Sequence, residues 1–295
     1  RDAMRRLRRN KISMACVVIL LLIAIVAFIV PTFYPYSYSK QDVTAQYLSP
    51  MQYSQKELVK IEKGAKIFPH LMGTDSLGRD YAARVIYGTR ISLLVGLVSA
   101  IIVVVIGIIY GAISGYFGGF IDTVIQRVIE IIRSFPTLPL WMALSAAIPA
   151  RVPIVQMYLM ITLILSLISW TGLARVVRSK FISLREEDFV MAARIGGVAD
   201  RRIITSHLIP SFISYLIVDM TLGIPSMIIG ETSMSFLGLG IRSPATSWGV
   251  LLQEAQEIQN VALYSWRLIP LVYVIISVLA FNFLGDGLRD AADPY

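Results

Sequence analysis

Cysteine and histidine are nearly missing from this chain of 295 residues, which has one of the first, Cys16, and two of the second, His70 and His207. A single cysteine excludes a disulfide within the chain and any thiolate metal cluster. Neither histidine lies in an apolar run, so a Ser–His dyad inside a membrane lacks its base. Charge is scarce too. Asp, Glu, Lys and Arg make up 16% of the residues against 56% hydrophobic, too apolar for a soluble domain of this size. Ten-residue segments of alternating polarity are absent, which excludes a membrane β-barrel. No Gly-rich loop ends in Lys followed by Ser or Thr, so the chain carries no phosphate-binding loop of its own. No cofactor and no metal are expected.

What the chain has instead is long apolar runs. A helix needs about 20 apolar residues to cross a bilayer. Six runs are candidates: residues 12–30, 91–115, 135–150, 154–174, 211–230 and 268–285, the third being the shortest. The expected fold class is therefore all-α, a polytopic membrane protein with six transmembrane helices. The first run follows a basic stretch, "RDAMRRLRRNK", as a signal peptide would. It is too long for one and no small-residue cleavage site follows, so it reads as a retained anchor. The net charge of +8 points to the bilayer rather than to nucleic acid. The basic residues gather beside the runs, where they set orientation and meet anionic headgroups.

Six basic residues and one acid precede the first run, which places the N-terminus in the cytoplasm. Six crossings return the C-terminus to the same side. The division expected is a basic tail and first span (1–30), an extracytoplasmic segment with a lead-in helix (31–90), a five-helix core (91–286) holding a cytoplasmic loop (175–210), and a cytoplasmic tail (287–295). The loop is basic, and the facing outer segment 231–265 has only Arg242, as the charge rule asks. Segment 31–90 fits badly, with eight basic residues, among them Arg84 and Arg90 next to the second run. Trp170 and Trp266 read as interfacial anchors at the ends of their spans.

Local motifs refine this outline. The acids of "GTDSLGRD" (73–80) suggest a calcium loop, but Leu77 and Arg79 stand where oxygen ligands are required. Gly107, Gly111 and Gly115 strip one face of the second run and invite close approach by another helix. Residues 121–133 read as an amphipathic helix leading to "SFPTLP".

The stretch "MAARIGGVADRRIITSHLIP" (191–210) is longer than a simple connection needs. Ser183 and Glu186 have capping-box spacing, so a helix from about residue 184 should run to Gly196 or Gly197. Asp200 should cap a second short helix, and Pro210 suits the start of the fifth span. Phe189, Ala192, Ala193 and Gly196 share a face whose small residues leave a flat surface. That face can dock a partner or lie against the chain's own spans.

"MAA", three residues, glycine, nine residues, then "HLIP" resembles the EAA motif of ABC importer permeases, with the spacing matched in full. Met191 replaces the usual glutamate and His207 the usual isoleucine; Glu187 or Asp188 is placed to supply the missing charge. "GTDSLGRDYAARVIYGTRISLLVG", "ETSMSFLGLGIRSPATSWGVLL" and "FNFLGDGLRDAADPY" resemble the C-type permease subunit of dipeptide and oligopeptide importers, a group with relatives serving nickel and glutathione uptake. The resemblance implies a type I importer fold in a bacterial plasma membrane. It implies a second permease chain, two cytoplasmic ABC ATPases and an extracytoplasmic peptide-binding protein as partners. It makes the loop a coupling helix docked in the ATPase, with Phe189, Ala192, Ala193, Gly196, Gly197, Arg201, His207 and Pro210 as its contact residues.

Asp219 lies mid-way along the fifth run, where a carboxylate costs about 2.5–3.5 kcal/mol unless it faces water or a cation. It is expected to line the pathway and meet the amino end of a peptide. Met227, Glu231, Ser235 and Phe236 are expected to border an outer gate, with Gly238 and Gly240 bending the backbone behind them. Two rival classes fare worse. "LGDGL" (284–288) resembles the motif of aspartyl intramembrane proteases but has Phe283 in place of the first glycine, and "GAISG" (111–115) has the wrong spacing for a serine one. An ion-coupled transporter needs a relay of acids, and Asp219 is the lone clear mid-span acid.

Overall fold

The computed structural model describes residues 2–149 and 151–292. Residue 150, which closes the third expected run, and residues 293–295 of the expected tail lie outside them. The described residues form helices, turns and two isolated β-bridges. Five stretches are long and apolar enough to cross a bilayer: Lys11–Phe33, Tyr81–Phe117, Ile154–Leu184, Ile213–Phe236 and Ser265–Ala292. In chain order the elements used below are α1 (Lys11–Phe28), α2 (Gln55–Glu62), α3 (Tyr81–Phe117), α4 (Gly119–Arg133), α5 (Thr137–Ala146), α6 (Ile154–Leu184), α7 (Asp188–Ile195), α8 (Asp200–Ile203), α9 (Ile213–Phe236), α10 (Trp248–Ala255) and α11 (Ile269–Ala292).

The third expected span is the exception to the apolar pattern. Its helix, α5, has ten residues and rises about 15 Å, half of a hydrocarbon core. The 15-residue α4 precedes it, and the chain breaks between them at Ser134–Pro136. Proline fixes its own φ and disfavours helix in the residue before it, which accounts for the break. The amphipathic helix expected over 121–133 is therefore present as α4, with Ile129 fully buried and most of its length exposed.

The glycine face of α3 meets α6. A Cβ at Gly111 would lie 2.6 Å from the Ala174 carbonyl, and one at Gly115 would lie 2.6 Å from that of Arg178. Only glycine lets the two backbones approach so closely. This contact carries α6 past its expected end at residue 174, on to Leu184. Trp170 consequently does not anchor an interface. It is buried in the middle of α6, packed with Ile129 and Ala174 and tilted against Tyr110 at 4.9 Å.

The segment between α1 and α3 folds into a cap. Ser54 and Glu57 form a true capping box on α2. His70 binds Asp80 (Nδ1 to Oδ2, 2.7 Å) and Glu57 (Nε2 to Oε2, 3.3 Å), with Tyr36 stacked on its ring at 4.4 Å. The acids of "GTDSLGRD" are fully committed. Asp75 accepts from the backbone of Leu77 and Arg79 and pairs with Arg79 (2.6 Å) and Arg84 (2.8 Å). Asp80 caps α3 through the Ala83 amide at 2.6 Å. These bonds leave no oxygens for a calcium ion. Gly78 turns the loop at φ +68, where a Cβ would collide with the Asp42 carbonyl at 1.8 Å. Arg84 is 1% exposed, and Glu254 of α10 also binds it, at 2.9 Å to Nη2. Its charge is thus neutralised, which removes part of the conflict with the charge rule. Arg90 is exposed and lies over the Phe28 ring at 5.6 Å.

Candidate functional site

At the opposite end of the bundle, α7, α8 and the residues up to Phe212 make a platform. Its underside is apolar. Val190, Ile203 and Leu208 are fully buried against Ala112, Tyr116, Val177, Phe181 and Leu216. Its upper side is bare: Phe189 is 43% exposed, Met191 47% and Ile195 87%. Ala192, Gly196, Gly197, Arg201, His207 and Pro210 are exposed as well. Of the face read from helical spacing, only Ala193 turns inward, half-buried against the apolar cluster. Sites that hold a flat, apolar surface out to solvent are sites of association rather than of chemistry.

The ends of these short helices differ from the sequence reading. Ser183 lies inside the last turn of α6 and caps nothing, and α7 starts at Asp188 with Glu187 making no side-chain cap. The strong α3–α6 contact extends α6 through the residue that a free loop would use as a cap. Gly197 does close α7, at φ +75, and the Val198 amide reaches back to the Ala193 carbonyl at 3.1 Å, a Schellman closure. Asp200 is the first residue of α8 rather than its cap. Its carboxylate instead accepts from the Tyr116 hydroxyl at 2.5 Å, and the Arg194 guanidinium sits over the same ring at 5.0 Å. Tyr116 therefore ties both short helices to the end of α3. Nothing in its sequence neighbourhood signals this, because the two partners lie about eighty residues away. Beyond α8 one wide helical turn, Ile204–Leu208, carries His207, and a short helix, Ile209–Ser211, carries Pro210 just ahead of α9.

Along α9, Asp219 is half-buried, and the Tyr215 hydroxyl lies 3.5 Å from it. It makes no ion pair among the described residues. Phe236 is 38% exposed at the far end of the helix. Met227, Glu231 and Ser235 do not face an opening in this chain; all three are buried. Glu231 accepts from Ser92 (3.0 Å) and from Ser235 (2.7 Å). Ser92 also accepts from the Trp248 amide (3.1 Å), and Ser235 from the Ile241 amide (2.9 Å). A glutamate there joins α3, α9 and the backbone leading into α10 in one closed knot. The bend at Gly238 and Gly240 supplies that backbone; a Cβ at Gly240 would lie 2.5 Å from the Ser235 Oγ. The cluster braces the end of α9, and the irregular backbone is tolerated because protein surrounds it.

The chain matches a family model described as the binding-protein-dependent transport system inner membrane component over residues 105–295. Residues 1–50 match the N-terminal TM domain of oligopeptide transport permease C. The oligopeptide transport system permease protein OppC of Escherichia coli K12 is 37% identical over 99% of this chain and 90% of its own length. The corresponding protein of Haemophilus influenzae is 39% identical over 99% and 88%. The dipeptide transport system permease protein DppC of Bacillus subtilis is 37% identical over 99% and 85%. Among solved structures, the inward-facing MetNI methionine ABC transporter has a chain that aligns with a TM-score of 0.53 at 19% identity, over 71% of this chain and 97% of that one, a likeness of fold. The chain belongs to the family of binding-protein-dependent transport system inner membrane components. It is a multi-pass membrane permease with the fold of an ABC importer subunit.

Proposed function

We propose that this permease forms half of the pore of an ATP-driven importer of dipeptides or oligopeptides. It works beside a second permease chain, above two cytoplasmic ABC ATPases and below an extracytoplasmic peptide-binding protein. The relatives named for oligopeptide and dipeptide transport support the peptide cargo. The observation that carries the coupling is the platform, anchored beneath by Val190, Ile203 and Leu208 and bare above at Ala192, Gly196 and Gly197. The chain has no phosphate-binding loop, so energy has to enter from outside, and this surface is where it enters. In this reading the platform, both termini and the tail from residue 287 face the cytoplasm of a bacterial cell, and the cap over 31–90 faces outward.

Closure of the ATPases on ATP draws the two platforms together, and the permease pair opens outward; hydrolysis resets it. This is alternating access by a two-state element. Asp219, with no ion pair among the described residues, meets the ammonium group of a passing peptide in this reading, and Phe236 borders the outer mouth. The test is uptake by proteoliposomes holding the whole complex. Uptake that needs ATP on the platform side supports the reading, and uptake driven by a pH gradient alone refutes it. Tryptophan at the exposed Ala192 should abolish uptake and release the ATPases during purification.

A further inference from the structure

The break between α4 and α5 leaves a cavity of about 310 Å³ against α6. Arg133, Thr137, Trp141, Ser169, Thr171 and Gly172 are among its lining residues, and no carboxylate is. Its depth can be read from α6. Gly172 is 18 residues from Ile154 and 12 from Leu184, about 27 Å and 18 Å along the axis. Gly172 is also two residues short of the end of the apolar run 154–174 and just ahead of Arg175 and Arg178, so the cavity lies on the platform side of the bundle. A Cβ on Gly172 would lie 3.8 Å from an Nη of Arg133, which sets the guanidinium at that depth. Arg133 makes no ion pair among the described residues.

Arg133 is exposed and an arginine cannot shed its proton, so its guanidinium can meet an anion that enters the cavity. The other lining groups extend the pattern. The Trp141 indole Nε1 is buried without a partner among the described residues. The Ser169 and Thr171 hydroxyls already donate to the Leu165 and Ile168 carbonyls, at 2.6 and 3.2 Å. The open donors are thus a guanidinium, an indole N–H and the Thr137 hydroxyl, with no acid among the lining residues. A planar, two-oxygen anion matches this set, since guanidinium binds carboxylates through two parallel bonds.

We propose that this cavity is a way-station for the carboxylate of the cargo, held by Arg133 with help from Trp141. The proposal rests on the peptide reading above and gives it a second contact, opposite in charge to Asp219. A free C-terminus distinguishes such cargo from an amidated peptide of the same sequence. The measurement is ATP-dependent uptake by the reconstituted complex, with the free-acid and amidated forms each supplied on saturated binding protein. Wild type should favour the acid. Arg133→Gln should cut acid uptake about tenfold, the scale of a lost charged hydrogen bond, and leave amide uptake nearly unchanged. Arg133→Lys should recover part of the loss. Trp141→Phe, which removes only the N–H, should lower acid uptake a few-fold, and it tests the site even if Arg133→Gln fails to assemble. Equal loss for both peptides would overturn the proposal while leaving peptide import standing. A wild-type complex that imports neither peptide refutes the peptide reading, and this proposal with it.

Discussion

The two ends of the bundle are built on opposite principles. The cap end buries its charges: Asp75, Arg79 and Arg84 are each at most 4% exposed and share one network with Glu254. The platform end buries Val190, Ile203, Leu208 and Phe212 and leaves its other face to solvent, including an 87% exposed Ile195. Charge in a closed network fixes one geometry, because removing either partner strands the other. A bare apolar surface fixes nothing by itself and gains energy only when a partner covers it. One end is thus complete within the chain, and the other, in the function proposed above, is half of an interface.

This contrast is broken most sharply at Arg84. Arg84→Ala takes from Asp75 and Glu254 the more buried of the two arginines that they share, Arg79 being the other, and about 3 kcal/mol of stability should be lost, read as thermal unfolding in detergent. A change below 1 kcal/mol would mean that the network is not holding the cap. Glu231→Ala should cost less, about 1–3 kcal/mol, since the Ser92 and Ser235 hydroxyls lose their acceptor. Cleavage of the 237–247 loop by protease should rise in parallel.

His70 sharpens the comparison through pH. Burial drives its pKa down, but the Asp80 and Glu57 carboxylates outweigh burial and hold it above the ordinary 6.5. A folded-state pKa above the unfolded one stabilises through the protonated ring. The contribution is therefore complete below about 6.5 and fades as pH rises through the raised value. His70→Gln should lose about 1 kcal/mol at pH 6 and progressively less toward pH 9, which melting at a series of pH values checks. The smallest stability change belongs to the platform. Ala192→Trp alters an exposed site and should move stability by less than about 0.5 kcal/mol while transport stops. A large drop in melting temperature there would show that the face packs within the chain.

The long elements were legible because apolar runs report helices wherever both ends are free of competing contacts. The glycine face of α3 was legible for the same reason, since spacing alone determines it. The α7 termini were partly so: Gly197 needs positive φ in any context, but Ser183 was absorbed when α6 ran on. The platform followed from the spacing of small residues, which fixes one face of a helix, though the partner side of Ala193 did not. What stayed hidden depends on residues distant in sequence. Glu254 reaches Arg84 across 170 positions, and Tyr116 reaches Asp200 across 84. Glu231 was expected at an outer gate from its place at the end of the fifth run, and its serine partners, distant in sequence or hidden by the bend, tie it into a buried cluster instead.

The glycine seam between α3 and α6 has a mechanical side. Two rods meshed backbone to backbone at Gly111 and Gly115 cannot slide or roll past each other, so they bear load as one beam. The platform leaves directly from one end of that beam, and the Arg84 knot clamps the other. A push of a few ångströms delivered below is then felt above as a tilt of the whole strut, about 46 Å long in α6, with little lost to bending in between.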